Sequence, residues 1–544
     1  MSQLADRFLT HRVENQPPPL VDFDAYATDL PLIEAVQRGG GDFAGELLSA
    51  YGARVGGELL LLGFEANRQR PQLRTHDRYG ERIDEVDFHP AWHALMQAAI
   101  DAGVHAFSWS DDRPGAHVVR AALSYLHHQA EAGSSCPLTM THAAVPVLRQ
   151  SPQLAHDWLP RVLGRRYDSR SLPPAAKQGL TVGMGMTEKQ GGSDVRSNST
   201  RAHPLGGSEY ELVGHKWFFS APMSDGFLVL AQAEGGLSCF LLPRWRPDGS
   251  RNALRLMRLK DKVGNWSNAS SEVEFHGAWA HRIGDEGRGV ATIIEMVALT
   301  RLDCMLGSAA EMRRALVEAL HHARHRHAFG KRLGEQPLMR AVLADLALES
   351  EASVALAMRV AAAVDASVRD PHEAAFARVA TAIGKFWICK RAPAFVNEAQ
   401  ECLGGAGYVE ESILPRLYRE APLNSIWEGC GNIQCLDVLR ALQREPATAA
   451  ALRAELEAAR GRDADYDREV DALGDALARA GEASARQLVE RLALALQASV
   501  LLRGGDSAVA TAFCRARIEG GGRAYGSLPS GMPIDALLRR AWPG

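Results

Sequence analysis

Apolar residues recur at three- and four-residue spacing along most of the chain, and one central stretch breaks that rhythm. Residues 41 to about 175 read as helices, with Ala-rich apolar spacing through Pro90 to Ala102 and Ala116 to His128. The pattern changes near Gly179. From there to about Phe275 come short β-branched and aromatic runs: Tyr210 to Val213, Phe227 to Ala231, Leu237 to Leu242 and Ser271 to Phe275. Glycine, proline and asparagine separate them, as expected for antiparallel strands. Helical periodicity returns near Gly289, and segments 289–325, 338–368 and 371–403 are long enough to form a bundle. A break at Pro446 is followed by more helix.

The expected fold class is therefore mainly α with a central antiparallel β domain and a C-terminal helical extension. The spans are 1–178 for an N-terminal arm and helical domain, 179–285 for the β domain, 286–440 for a helical bundle domain and 441–544 for a C-terminal helical domain. Residues 1–40, with the run Pro17 to Pro19 and the glycines at 39–41, read as an arm or irregular surface segment.

Composition narrows the function classes. The formal charge of −4 over 544 residues gives no overall bias toward nucleic acid or membrane. The eight cysteines include no C-x-x-C pair, so neither a zinc site nor a disulfide scaffold is expected, and a reducing, cytoplasmic setting fits. The opening MSQLADRFLT has no apolar signal region, and the longest apolar runs are Ala-rich and broken by charge, so no membrane span is expected.

Four segments carry candidate chemistry. In GMGMTEKQGGSDVR, which includes Met184, the hydroxyls of Thr187 and Ser193 can hydrogen-bond a ligand. Gly191 and Gly192 let backbone approach it. In VGHKWFFSAPMSD, strand alternation puts Phe218 and Ser220 on one face, with Trp217 and Phe219 on the other. In RHRHAFGKRLGEQP, Arg326, Lys331 and Arg332 could meet pyrophosphate. His321 and His325 share a helix face there, but lack the companions of a metal site. In the fourth segment, Glu401 to Arg440, glycines 404, 405 and 407 interrupt a helix at roughly 1 kcal/mol each. Such a cluster suits close approach to a ligand. Glu428, in IWEGCGN, has apolar neighbours that would raise its pKa and suit it to proton abstraction.

Together these segments resemble the acyl-CoA dehydrogenase family over roughly residues 50–440. GMTEKQGGSDV is similar to the T-E-P-x-x-G-S-D signature, with Lys189 in place of proline. GHKWFFSA resembles the flavin-facing strand, with Phe218 replacing the stacking Trp and Ser220 standing for the hydroxyl donor. RHAFGK resembles R-x-x-F-G, which implies that Arg326 and Phe329 reach a neighbour's flavin diphosphate. LGGAGY resembles G-G-x-G-Y, with Glu401 where a Gln usually stands. IWEGCGNIQ resembles I-Y-E-G-T-S-Q-I-Q, which places Glu428 at the base position and Asn432 near the cofactor. Thr300 occupies the alternative base position, before Arg301, so no second base is offered. The resemblance implies FAD, an acyl-CoA-like small-molecule substrate and assembly as a homotetramer, a dimer of dimers.

The finer resemblance, nearly end to end, is to the family's AidB-like branch, flavoproteins of the bacterial alkylation response. It implies binding of double-stranded DNA through the C-terminal region and weak thioester dehydrogenase activity. Residues 486–544 hold eight arginines against four acids, although 441–544 as a whole is neutral. The expected DNA contacts are Arg440, Arg515 and Arg517, with Arg486, Arg491, Arg503 and Arg523 as further members of the basic tail. A metabolic acyl-CoA dehydrogenase without a DNA role is the alternative.

Overall fold

The computed structural model describes residues 8–520 and 524–542. Its N-terminal block contains α1 (Leu30–Arg38), α2 (Gly45–Val55) and α3 (Glu58–Arg68). The hairpin β1 (Gln72–His76) and β2 (Arg82–Asp87) follows, then α4 (Pro90–Ala102), α5 (Phe107–Ser110), α6 (Ala116–Ala130), α7 (Ala132–Leu148) and α8 (Pro152–Val162). The hairpin lies inside the stretch expected to be helical. Its segments, QLRTH and RIDEVD, are mostly polar, with Leu73 and Val86 reaching the β-domain core, so the apolar signal is faint.

The β domain holds β3 (Val182–Gly185), β4 (Arg201–Gly206), β5 (Glu209–Ser220), β6 (Gly226–Ala233), β7 (Gly236–Pro243), β8 (Leu254–Leu259) and β9 (Ser270–Ile283). The order is β3-β6-β4-β5-β9-β7, with β8 on β9 and a further β6–β7 pairing that curls the sheet closed. Most pairs are antiparallel as expected. β3, however, runs parallel to β6, so the sheet is mixed. Phe219, Phe227, Phe240 and Phe275 fill the interior. The outer face, with Val182, Leu228 and Leu241, packs on α7 and α8.

The bundle helices are α9 (Gly289–His325), α10 (Pro337–Ala366) and α11 (Pro371–Cys402), close to the expected spans. A two-residue hairpin, β10 (His327–Ala328) and β11 (Lys331–Arg332), projects between α9 and α10. After α11 come α12 (Leu414–Glu420), α13 (Gly431–Arg444), α14 (Pro446–Glu457), α15 (Ala464–Ala478), α16 (Ala485–Gly504), α17 (Ser507–Phe513) and α18 (Ile534–Ala541). One continuous apolar core runs from Ala25 to Ala541, so the C-terminal helices share the bundle's core. Among the described residues no single helix is long and apolar enough to cross a membrane.

Ion pairs reinforce that union and correct one expectation. Arg517 does not face solvent: its guanidinium meets Asp345 at 2.5 Å and Glu349 at 3.1 Å on α10. Arg391 of α11 meets the same Glu349. A guanidinium committed to two buried carboxylates is not available to phosphate, so Arg517 docks the C-terminal helices instead of contacting DNA. Other tail arginines are engaged too: Arg491 with Glu469, and Arg503 with Glu455. Arg515 donates to the Ser530 carbonyl at 2.9 Å. Arg523 lies outside the described residues.

Removing one member of a buried pair strands the others, at a cost of about 3–5 kcal/mol. Arg517→Ala is therefore expected to lower the thermal midpoint clearly, while Arg515→Ala changes stability by less than about 0.5 kcal/mol. Differential scanning calorimetry of both variants checks this; equal midpoints would contradict the docking role.

Candidate active site

The candidate base sits in a tight turn between α12 and α13. Glu428 has φ +58° and Gly429 has φ +92°, both left-handed. A Cβ on Gly429 would lie 2.8 Å from the Gln434 amide nitrogen, so position 429 requires glycine. Every carbonyl of the turn is capped. Lys385, deep on α11, donates to the Trp427 and Gly429 carbonyls, each at 2.7 Å. Gln434 donates to the Glu428 and Gly429 carbonyls at 3.2 and 2.8 Å. Arg301 of α9 reaches the Glu428 carbonyl at 3.3 Å and is itself held by Asp437 at 2.6 Å. Arg378 pairs with the other oxygen of Asp437.

Among the described residues nothing hydrogen-bonds the Glu428 carboxylate. Burial pushes its pKa up, against the opposing pull of Arg301 and Lys385. A carboxylate with few partners and a raised pKa suits proton abstraction near neutral pH. Thr300 is fully buried and its hydroxyl donates to the Val297 carbonyl, so it offers no base.

The signature loop is built around a residue that sequence reasoning passed over. Glu188 is fully buried and accepts from Lys216 of β5 at 2.9 Å, and from the backbone N–H groups of Ser199 and Thr200. Burial acts to raise its pKa, but Lys216 and these donors outweigh it and hold the carboxylate well below the usual range. The pair ties the loop to the strand. Thr187 then sits half-buried beside Gly192, where a Cβ would come within 2.4 Å of its hydroxyl. Ser193 is exposed, and Met184 lies half-buried on β3.

On β5 the core and rim positions differ from simple alternation. Phe219 enters the core and Phe218 stays 48% exposed, as expected. Trp217, expected beside Phe219, instead lies at the rim with the Lys260 ammonium 3.1 Å from its ring centre. The β5–β9 register shifts between Lys216 and Phe219, and that irregularity breaks the two-residue repeat. Ser220 is the last residue of β5, half-buried, opposite Ser270. Ala221 then turns the chain with φ +51°.

The remaining predicted contacts lie apart on the surface of the single chain. Arg326 donates to the Asn15 carbonyl at 2.6 Å, so the N-terminal arm rests on this segment. Phe329 caps the β10–β11 hairpin with φ +53° and 99% exposure. Glu401, Gly404 and Gly405 are exposed, and a Cβ at either glycine would meet only open space. Asn432, exposed at the start of α13, accepts from Arg486 at 2.8 Å through its amide oxygen. His321 and His325 hydrogen-bond backbone carbonyls, and no metal-binding cluster exists among the described residues.

These residues fit a flavin dinucleotide. An uncovered aromatic ring beside a half-buried hydroxyl suits a planar ring with a polar edge. The bare glycines and the projecting Phe329 hairpin suit a group shared across a subunit boundary.

Comparison with known proteins agrees. Residues 15–169 match the adaptive response protein AidB N-terminal domain. Residues 183–278 match the acyl-CoA dehydrogenase middle domain, and 287–443 its C-terminal domain. The chain belongs to the acyl-CoA dehydrogenase family, in its AidB-like branch, and its cofactor is FAD. It is 50% identical over 535 residues to AidB of Escherichia coli strain K12, covering 97% of this chain and 98% of that one. The structure of Caenorhabditis elegans ACDH-11 in complex with C11-CoA superposes with a TM-score of 0.86 at 27% identity, covering 96% of each chain. That of Bd2924 in its apo form gives 0.83 at 31% identity, covering 90% of this chain and 99% of that one.

The raised pKa of Glu428 has a consequence for stability. A carboxylate whose folded pKa lies above its unfolded value favours folding when protonated, and that contribution disappears as pH rises through the folded pKa. Glu428→Gln is therefore expected to melt about 1–2 °C higher than the native protein at pH 8, with the difference vanishing toward pH 4. A lower midpoint for the variant at pH 8 would contradict the burial cost.

Proposed function

We propose that the chain is an FAD-dependent oxidoreductase of the alkylation-response type that removes the α-proton of an acyl-thioester-like molecule through Glu428. The observation that carries this reading is the clamped turn. Lys385, Gln434 and Arg301 reach the turn only through its carbonyls, leaving the Glu428 carboxylate free to act. FAD, when bound, supplies the acceptor for the hydride leaving the β-carbon. Glu428 takes the α-proton, and the nearby cations stabilise its charge before reaction. Thr187 and Ser220 offer hydroxyls to the flavin ring, and Arg326 and Phe329 serve a neighbouring subunit's cofactor. The exposed apolar residues Phe329, Leu338 and Tyr408 support assembly with further copies of the chain, which we read as a homotetramer in the cytoplasm.

A second activity, association with duplex DNA, is supported by Arg440 and Arg444. They stand four apart on α13, both exposed, and among the described residues neither makes an ion pair. Two unpaired guanidiniums on one helix face, repeated by a tetramer, would contact phosphates with little sequence preference. Arg515 is a lesser candidate, since its guanidinium already serves the Ser530 carbonyl.

In anaerobic titrations with isovaleryl-CoA, the native protein is expected to bleach its flavin band slowly, and Glu428→Gln to retain FAD without bleaching. Equal bleaching would remove Glu428 from the reaction. Arg440→Ala is expected to weaken duplex binding at low salt and reduce the salt slope by about one. An unchanged slope in fluorescence anisotropy would exclude the phosphate contact.

A further inference from the structure

Behind Ser220, at the corner of the β domain proposed to face the flavin, lie polar groups that the reaction above leaves unused. Ser220 and Ser270 face one another across β5 and β9, with their hydroxyl oxygens 2.9 Å apart. Lys262, in the loop before β9, donates to the Ser270 hydroxyl at 3.1 Å and to the Asn268 carbonyl at 2.6 Å. A cavity of about 170 Å³, lined by Arg70, Lys260, Lys262, Trp266, Asn268 and Ser270 among others, adjoins the ammonium.

The chemistry of the three groups favours one direction along this chain. An ammonium has donors and no acceptor, whereas a hydroxyl has one proton and two lone pairs. Ser270 accepts from Lys262, which strengthens its hydroxyl as a donor, and the Ser220 oxygen lies within reach of its proton. Ser220, having accepted, must send its proton elsewhere. The Cys136 sulfur also lies within hydrogen-bonding reach of Ser220, but burial raises the pKa of that thiol and keeps it protonated, which makes it a weak acceptor. The outward side of Ser220 remains, at the end of β5 beside exposed Phe218.

We propose that Lys262 is a positioning residue that polarises the chain Lys262–Ser270–Ser220, so that the Ser220 hydroxyl donates to an acceptor at the edge of the FAD ring. The proposal rests on FAD lying against Ser220 and adds what orients that hydroxyl. It also makes the interaction pH-dependent. Burial lowers the Lys262 pKa to about 8. The titratable groups around Lys262 include Cys136 on α7, Glu131 just before α7, Glu420 at the end of α12 and Arg70 after α3. Glu131 and Glu420 favour the ammonium, Arg70 opposes it, and the protonated Cys136 thiol adds no charge. The ammonium is complete well below pH 8 and is lost as pH rises through that value. An interaction that needs it weakens over the same window.

The test is FAD affinity of the apoprotein, measured by quenching of flavin fluorescence from pH 6.5 to 9.5. The proteins compared are native, Lys262→Met, Lys262→Arg, Ser220→Ala and the double variant Lys262→Met/Ser220→Ala. Circular dichroism melts of each apoprotein report the fold. The expected result at pH 7 is about tenfold weaker binding for Lys262→Met, the scale of one hydrogen bond to a charged group. The double variant binds no worse than Ser220→Ala, because Lys262 acts through Ser220. Native affinity falls above pH 8, whereas Lys262→Arg binds well and shows no such fall. Native affinity for FAD by Lys262→Met, or additive losses in the double variant, would overturn the proposal. Should Ser220→Ala alone leave affinity unchanged, the placement of FAD against Ser220 fails, and the proposal with it. A Lys262→Met protein that does not fold leaves the native pH profile and Lys262→Arg to decide: a flat native profile overturns the proposal.

Discussion

The site depends on a lysine that never touches the reacting atoms. Lys385, buried on α11, binds the carbonyls on either side of Glu428. A left-handed conformation at a residue with a side chain costs roughly 1–2 kcal/mol. The five donor contacts from Lys385, Gln434 and Arg301 easily exceed that, since each hydrogen bond is worth about 1 kcal/mol net and more when the donor is charged. The strained backbone is thus over-determined, and the carboxylate is presented by a turn too constrained to swing away. The turn in turn requires α9, α11 and α13 to stand at fixed distances, which the long apolar bundle core provides.

Buried lysines serve the same purpose elsewhere. Lys216 sits inside the β domain between Glu188 and the Leu230 carbonyl, and fixes the signature loop on β5. Lys262 binds the Asn268 carbonyl and Ser270. In each case a flexible stem brings several donors into the interior, where they find carbonyl, hydroxyl or carboxylate acceptors. The β domain and the bundle each have a buried apolar core. The loop of residues 261–268 joins them: Gly264 packs against the Arg419 carbonyl, and Trp266 is flanked by Arg70 and Arg419.

Much of this plan was legible in the chain. Long helices announced themselves through periodicity, and 289–325 and 90–102 coincide with observed elements, because their apolar stripes face one continuous core. The strands were legible as runs but not in their pairing direction: β3 is parallel to β6 and carries no local mark of it. The candidate site was legible as contiguous motifs, which name Glu428 and Ser220 as candidates. It was hidden where function depends on residues distant in sequence. Lys385 lies in a largely apolar helical stretch, IGKFWICK, where either of the two lysines could equally have pointed outward. The basic tail misled for a related reason. A count of arginines ignores their partners, and the fold pairs Arg491, Arg503 and Arg517 with carboxylates.

The central claim is that Glu428 abstracts a proton from carbon next to a thioester. Its most direct test is hydrogen exchange at that carbon. Holoprotein is incubated anaerobically with an acyl-CoA in D₂O, and deuterium at the α-position is read by mass spectrometry. The account predicts exchange with the native protein and none above background with Glu428→Gln carrying a full complement of FAD. Equal exchange by the two proteins would contradict it.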